Sequence, residues 1–250
     1  MSIKHYNKKV VLSGNILEVY EYQNTRYFDI QSKKSSCNSS SSSDKSKNKK
    51  DSLNRSIKKI RNYIATNYTK RATQFVTLGF NSDITDIQIA KKKLERFNSK
   101  LKNKLKESPK YIGTIEYQEN GRIHFHIIYF NLPYIPHDEL LKIWNNGSLW
   151  IEPVTYGLKS FDCLTRYILK QSKLAIDYKN IYFRSKANLK EPKEIKNDLV
   201  VSKVINHLTG AECTSSYKGN NEYVGEYSIK SFDISKLNVR KRAIITAVCS

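Results

Sequence analysis

A run of apolar residues between positions 87 and 105 constrains the fold of this chain most. Apolar side chains recur there at steps of three and four residues, at Ile87, Ala90, Leu94, Phe97, Leu101 and Leu105. This spacing places them on one face of an α-helix, while lysines occupy the remaining positions. A helix with one apolar stripe must bury it against another element, so the pattern predicts a layered domain.

Strand patterns surround this helix. An apolar run rich in strand formers precedes it at residues 75–80, and further elements follow as a hairpin at 111–117 and 122–130, a helix at 137–144, a strand at 149–154 and a helix at 161–173. The order strand, long helix, hairpin, helix, strand, helix predicts an α+β domain. We expect a central antiparallel sheet of about five strands flanked by helices.

Composition divides the chain into four segments. Residues 31–56 consist mainly of Ser, Lys, Asn and Asp, so they cannot offset their own ordering entropy and are predicted to be a disordered linker. Residues 1–30 contain enough Val, Ile, Leu and Tyr for a strand or hairpin extension. Residues 57–195 are predicted to form the main domain, and residues 196–250 a C-terminal helix and strands that could pack on it.

The charge balance favours a polyanionic partner. The chain has 44 Lys and Arg against 23 Asp and Glu, a formal net charge of +21. Charge alone is equally compatible with a lysine-rich protein that binds no nucleic acid. The four cysteines form no C-x-x-C pair, which argues against a zinc knuckle. Without a signal-peptide pattern or an apolar run of about 20 residues, the expected location is the cytoplasm.

Two of the five histidines, His124 and His126, are separated by one residue within an apolar strand. Side chains alternate along a strand, so both imidazoles project from one face while Phe125 projects from the other. Two neutral imidazoles side by side are typical of a metal-ligand pair. The alternative is a pair of polar residues on a solvent-facing surface.

The turn before the histidines decides which upstream residues share their face. A two-residue loop pairs Tyr117 with His124, whereas a three-residue loop ending in a left-handed Gly121 pairs Glu116 with His124 and adds Gln118 to that face. We favour the second register. It places a carboxylate beside two imidazoles, a ligand set suited to Mg²⁺ or Mn²⁺.

Tyr167 and Lys170 stand three residues apart in a predicted helix, so their side chains emerge on one face. A phenol with a pKa near ~10 attacks phosphorus poorly unless a cation favours its phenolate, and Lys170 can supply that cation or hold the phosphate. The pattern alone is weak because the chain contains 17 tyrosines, most of which are expected to serve packing.

Together, three ordered segments resemble the HUH replication initiators, the Rep proteins of rolling-circle plasmids, phages and mobile elements of low-GC Gram-positive bacteria. They are residues 75–80 (FVTLGF), residues 115–126 with the histidine pair, and residues 166–170 (RYILK). The resemblance implies an HUH or RRM-like palm as the fold. A weaker similarity around residues 182–192 suggests Arg184 and Lys190 as DNA contacts.

The resemblance also implies an activity. His124, His126 and Glu116 would hold Mg²⁺ or Mn²⁺, and Tyr167, assisted by Lys170, would cut one DNA strand by transesterification. The products would be a 5′-phosphotyrosine linkage and a free 3′-hydroxyl. The expected partners are single-stranded or hairpin origin DNA and a host helicase and polymerase, with no membrane and no small-molecule cofactor.

The chain departs from the family pattern at two positions. Gly79 stands where relatives usually carry a hydroxyl residue, which is expected to loosen that strand, and Gln171 replaces a second tyrosine. The alternatives are an HUH-type transposase or relaxase, or a non-catalytic DNA- or RNA-binding protein. A relaxase usually has three histidines in its metal set, and no third histidine lies near this pair.

Overall fold

The computed structural model describes residues 5–27, 42–171, 182–186, 189–221 and 224–249, with the side chains of 42–52, 170, 171 and 221 left out. The chain divides into two compact units. One comprises Ser52–Lys190, and the other joins Met1–Asp51 to Glu191–Ser250.

The elements alternate between short strands and helices along the chain. In the first half they are β1 His5–Ser13, β2 Ile16–Tyr27, α1 Ser42–Asn67, β3 Gln74–Leu78, α2 Ile87–Leu105, β4 Tyr111–Tyr117 and β5 Ile123–Tyr129. In the second half they are α3 His137–Trp144, β6 Leu149–Pro153, α4 Leu158–Gln171, β7 Phe183–Arg184, β8 Lys193–Ile195, α5 Asp198–His207, β9 Cys213–Asn221, β10 Gly225–Asp233 and α6 Val239–Val248.

The unit Ser52–Lys190 is built on an antiparallel sheet of five described strands in the order β6-β3-β5-β4-β7. One face of this sheet packs against α2 and α3 in an apolar core that includes Val76, Leu78, Phe97, Phe125, Ile127, Tyr129, Leu140 and Trp144. On the opposite face, the Thr114 hydroxyl donates to the carbonyl of Ile168 in α4 over 3.1 Å. The prediction of an α+β fold with a central antiparallel sheet flanked by helices is confirmed.

Helix α2 forms as its apolar spacing predicts. Asp86 caps its N-terminus by accepting hydrogen bonds from the backbone amides of Gln88 and Ile89, and the helix ends at Lys106 in the left-handed conformation. The residues buried in the core are Ala90, Leu94, Phe97 and Leu101. The helix therefore fixes one face of the sheet and leaves the other face available for a site.

The second unit contains a separate antiparallel sheet in the order β8-β1-β2-β10-β9. Its core joins Val10 and Leu17 of the N-terminal hairpin to Val201 and Val204 of α5 and Ile245 of α6. Residues distant in sequence thus form one unit, which differs from the predicted division into separate N-terminal and C-terminal segments with 57–195 as the main domain. Local patterns do not encode which distant strands pair, so the sequence did not reveal this grouping.

Helix α1 begins at Ser42, inside the segment 31–56 for which the composition predicts disorder. Residues 42–56 contain neither Gly nor Pro and continue directly into the apolar positions Ile60 and Ile64 of the same helix. Propagation from those buried turns favours helix where composition alone does not. Residues 31–41 of the predicted linker lie outside the described residues.

Among the helices in the described ranges, none combines the length and the apolar character that crossing a membrane requires.

Replacing Phe97 by alanine tests the packing of α2 on the sheet. The Phe97 ring is buried, with its centroid 5.6 Å from that of Trp144 and 6.5 Å from that of Tyr129. We expect Phe97→Ala to lower the free energy of unfolding by about 3–5 kcal/mol in urea denaturation, because it leaves a cavity between rings. The neighbouring exposed residue provides the control: Arg96→Ala should change stability by less than about 0.5 kcal/mol. Equal effects of the two substitutions would contradict this packing.

Candidate active site

The histidine pair lies on the sheet face opposite α2, in the predicted register. Glu116 pairs with His124 across β4 and β5, and Thr114 pairs with His126. Gly121 adopts a φ of 79°, and its amide donates to the carbonyl of Gln118 over 2.8 Å. The three-residue loop with a left-handed glycine is therefore confirmed, and Glu116 projects from the same face as the imidazoles.

His126 is held at both ring nitrogens. Its Nε2 lies 2.8 Å from Glu116 Oε2, and its Nδ1 lies 3.1 Å from Thr77 Oγ1. A carboxylate can only accept, so Nε2 carries the proton towards Glu116 and Nδ1 accepts from the threonine hydroxyl in the neutral ring. The side chain of His126 is almost fully buried, which fixes the orientation of its ring.

His124 is held more loosely. Its Nδ1 lies 3.4 Å from Gln118 Nε2 and 3.9 Å from Glu116 Oε2, and a quarter of its side chain is exposed. Burial lowers the pKa of His124, although the charge of Glu116 opposes this shift. The imidazole is therefore neutral near pH 7, the state in which a ring nitrogen can coordinate a cation.

Tyr167 lies beside His126. The centroid of its ring is 5.9 Å from that of His126 and 5.9 Å from that of Phe75, and both contacts are edge-on. The side chain remains 47% exposed, so a substrate can reach it from solvent. The structure thus brings the predicted nucleophile to the same face as the histidine pair, where the contact between Thr114 and Ile168 anchors α4.

The other predicted site residues are placed differently. Lys170 belongs to α4, but its side chain lies outside the described residues. Arg184 projects from the same face of the sheet, opposite Ile112, about 13 Å along β4 from Glu116. Its guanidinium stacks on Tyr63 of α1 and donates to the Tyr63 hydroxyl.

Lys190 contributes its backbone rather than its side chain to the fold. Its amide donates to Asn67 Oδ1 over 2.8 Å, and its carbonyl accepts from Asn67 Nδ2 over 2.9 Å. The residue is exposed, so its ammonium can approach an anion. For Arg184 and Lys190 alike, a role in binding DNA stays a prediction.

The structure adds two residues that the sequence analysis missed. Thr77 orients His126, and Phe75 supports the ring of Tyr167. The pairing of β3 with β5 brings both residues to the site, with Thr77 opposite His126 and Phe75 opposite Ile128. A hydroxyl inside the apolar run 75–80 was a usable signal, but its partner depended on which strand lies beside β3.

Gly79 serves the site by leaving space rather than by loosening the strand. A Cβ at this position would collide with Ser148 Oγ and would lie 3.2 Å from His124 Nε2. The serine on the neighbouring strand connection and the histidine therefore use the space that a side chain at position 79 would fill. This explains why a glycine can stand where relatives usually carry a hydroxyl residue.

The donor set fits a divalent cation with open coordination positions. Within the described ranges, no three His, Cys, Asp or Glu side chains already surround one point as in a closed metal site. Glu116 Oε2 is nevertheless 2.8 Å from one imidazole nitrogen and 3.9 Å from the other. Two imidazoles and a carboxylate on one face suit Mn²⁺ or Mg²⁺, and the partly exposed His124 is the ligand with the greater freedom to adjust.

A substitution at Gly79 tests the crowding around His124. We expect Gly79→Ala to displace Ser148 and His124, lowering the free energy of unfolding by about 1–3 kcal/mol and weakening Mn²⁺ binding in calorimetry. Removing the colliding hydroxyl in the double variant Gly79→Ala, Ser148→Gly should restore most of the stability. Additive losses in the two single variants and the double variant would show that the two positions do not share this space.

Comparison with known proteins locates the similarity in this unit. Residues 73–172 match a family model described as Replication-associated protein ORF2. No curated protein matches the chain. Among solved structures, the chain is similar to the hypothetical protein ORF119 from Sulfolobus islandicus rod-shaped virus 1, with 23% identity over 50% of this chain and 97% of that chain and a TM-score of 0.37. The family match spans Glu116, His124, His126 and Tyr167, and it supports a replication initiator.

Proposed function

We propose that this protein is an HUH-type replication initiator that nicks single-stranded origin DNA, with Tyr167 as the nucleophile and a divalent cation at His124, His126 and Glu116. The observation that carries the proposal is the edge-on contact of the Tyr167 ring with the ring of His126, at 5.9 Å between centroids. One phosphate can then be reached both by the phenol and by a cation on the histidines.

The residues around Tyr167 favour attack by limiting its motion. Phe75 and His126 contact its ring from two directions, while the exposed side of the ring leaves a path for DNA. Holding a nucleophile near its target replaces an entropic cost that a free phenol would meet in solution. A cation bound at the histidines would neutralise charge on the phosphoryl oxygens.

The proposed reaction exchanges one phosphoester for another. The phenolic oxygen of Tyr167 forms a bond to phosphorus, the bond from phosphorus to the 3′ oxygen breaks, and that oxygen gains a proton to become a 3′-hydroxyl. The phenol loses its proton during attack, and Lys170 on the same helix is the proposed cation that favours the phenolate. The 5′-phosphotyrosine linkage conserves the energy of the phosphodiester for later rejoining.

The proposed partners follow from this chemistry and from charge. The net charge of +21 suits single-stranded or hairpin origin DNA, with Arg184 and Lys190 as further contacts. The sequence contains no G-x-x-x-x-G-K-[ST] segment, so a host helicase would separate the strands and a host polymerase would extend the 3′-hydroxyl. We place this activity on replicons of low-GC Gram-positive bacteria, in the cytoplasm.

Replacing the Tyr167 hydroxyl tests the proposal directly. The chain is incubated in Mn²⁺ with labelled single-stranded fragments of its own replicon, and covalent adducts are resolved on denaturing gels. We expect Tyr167→Phe to abolish the adduct while DNA binding is retained, because only the attacking oxygen is lost. Tyr134→Phe, which alters a tyrosine that is 82% exposed, is the matched control and should leave the adduct unchanged. A non-catalytic binding protein would form no adduct in any variant.

The metal requirement is tested at His126. We expect chelation with EDTA to stop nicking and added Mn²⁺ to restore it. We expect His126→Ala to reduce the nicking rate at least about 100-fold, because it removes one proposed ligand and the partner of Glu116. The exposed His5, on a strand of the other unit, provides the control variant His5→Ala. Full activity of His126→Ala in EDTA would exclude the proposed metal site.

A further inference from the structure

Trp150 is a large aromatic side chain left in solvent beside the site. It lies on β6, an edge strand of the sheet, and 62% of it is exposed. The chain has only one other tryptophan, Trp144, which is 1% exposed and donates to the carbonyl of Gly79 over 2.9 Å. Packing explains Trp144 but does not explain Trp150.

The strand register places Trp150 on the face that carries the histidines. Thr77 of β3 pairs with Trp150 on one side and with His126 on the other. Directly paired residues of antiparallel strands project from the same face, so the three side chains form one row across the sheet. Two interstrand spacings separate Trp150 from His126, a distance of about 10 Å.

A carboxylate orients the indole of Trp150. Its Nε1 donates to Glu152 Oε1 over 2.8 Å, and Glu152 lies two residues further along the same strand face. This bond satisfies the polar edge of the indole and leaves its π-surface as the feature that a ligand can contact. The negative charge of Glu152 disfavours a phosphate at this point and is compatible with an uncharged base.

We propose that Trp150 is a stacking platform for one base of the DNA strand whose scissile phosphate lies at Tyr167. This inference rests on the proposed function and adds a residue that positions the substrate. Aromatic side chains stack on any base, so the platform contributes to binding with little sequence preference. At about 3.4 Å per stacked nucleotide, the base lies no more than about three nucleotides from the scissile phosphate.

Tryptophan fluorescence provides a direct measurement. Because Trp144 is buried, a stacked base should quench Trp150 selectively. The full chain carrying Tyr167→Phe, which prevents cleavage, is titrated with a single-stranded oligo(dT) about 12 nucleotides long, within the usual range of single-strand site sizes. We expect emission to fall on binding, and we expect no fall when Trp150→Phe is added, since only Trp144 then remains. A blunt duplex of equal length, with its bases already stacked, should quench weakly.

Nicking kinetics separate a positioning role from a structural one. We expect Trp150→Ala to raise KM about 5- to 100-fold with kcat little changed, and Trp150→Phe to restore part of the loss because it keeps an aromatic surface. Tyr134→Ala, at another exposed aromatic of the same unit, should leave KM unchanged. An abasic nucleotide at one position near the cut should remove the difference between the Trp150→Ala variant and the parent.

Two outcomes distinguish this inference from the proposed function. Unquenched Trp150 emission on saturated DNA, or an unchanged KM in Trp150→Ala, would overturn the platform while a Tyr167 adduct still supports nicking. Absence of any adduct in the parent protein would overturn the nicking proposal, whereas quenching by oligo(dT) would still support a base-stacking surface. Thermal melting confirms that the variants are folded, and the quenching test on the parent sequence at position 150 requires no substitution there.

Discussion

The pairing of β4 with β5 is the constraint on which the rest of the site depends. Gly121 in the left-handed conformation closes a three-residue loop, and that loop sets Glu116 opposite His124. A shift of one residue would turn the carboxylate to the other face of the sheet, towards α2. In the observed register, the contact of 2.8 Å between Glu116 and His126 links the two strands at the point where chemistry is proposed.

Burial separates Tyr167 from other tyrosines of the same unit. Tyr129 is completely buried, which raises its pKa well above the usual value, and its hydroxyl donates to Asn98. Burial also raises the pKa of Tyr111. Neither phenol can readily form a phenolate or meet a DNA strand. Tyr167 combines exposure with a contact to His126, and these two properties together make it suitable as a nucleophile.

Local patterns predicted the elements that carry the site. Apolar spacing identified α2, and alternation placed His124 and His126 on one face, because both depend only on neighbouring residues. Contacts between distant strands were not predictable in the same way. Thr77 reaches His126 only because β3 lies beside β5, and Trp150 joins that row only because β6 lies on the other side of β3. Arg184 illustrates the limit of resemblance, since its guanidinium stacks on Tyr63 rather than facing the histidine pair.

The central claim is that Tyr167 and the proposed cation share one pocket, and paramagnetic broadening measures this most directly. The protein is labelled with 3-fluorotyrosine, and the Tyr167 signal is assigned by its loss in Tyr167→Phe. Titration with Mn²⁺ should then broaden the Tyr167 resonance more strongly than any other tyrosine signal, and His126→Ala should remove that effect. A Tyr167 line that stays sharp with Mn²⁺ bound would contradict the account.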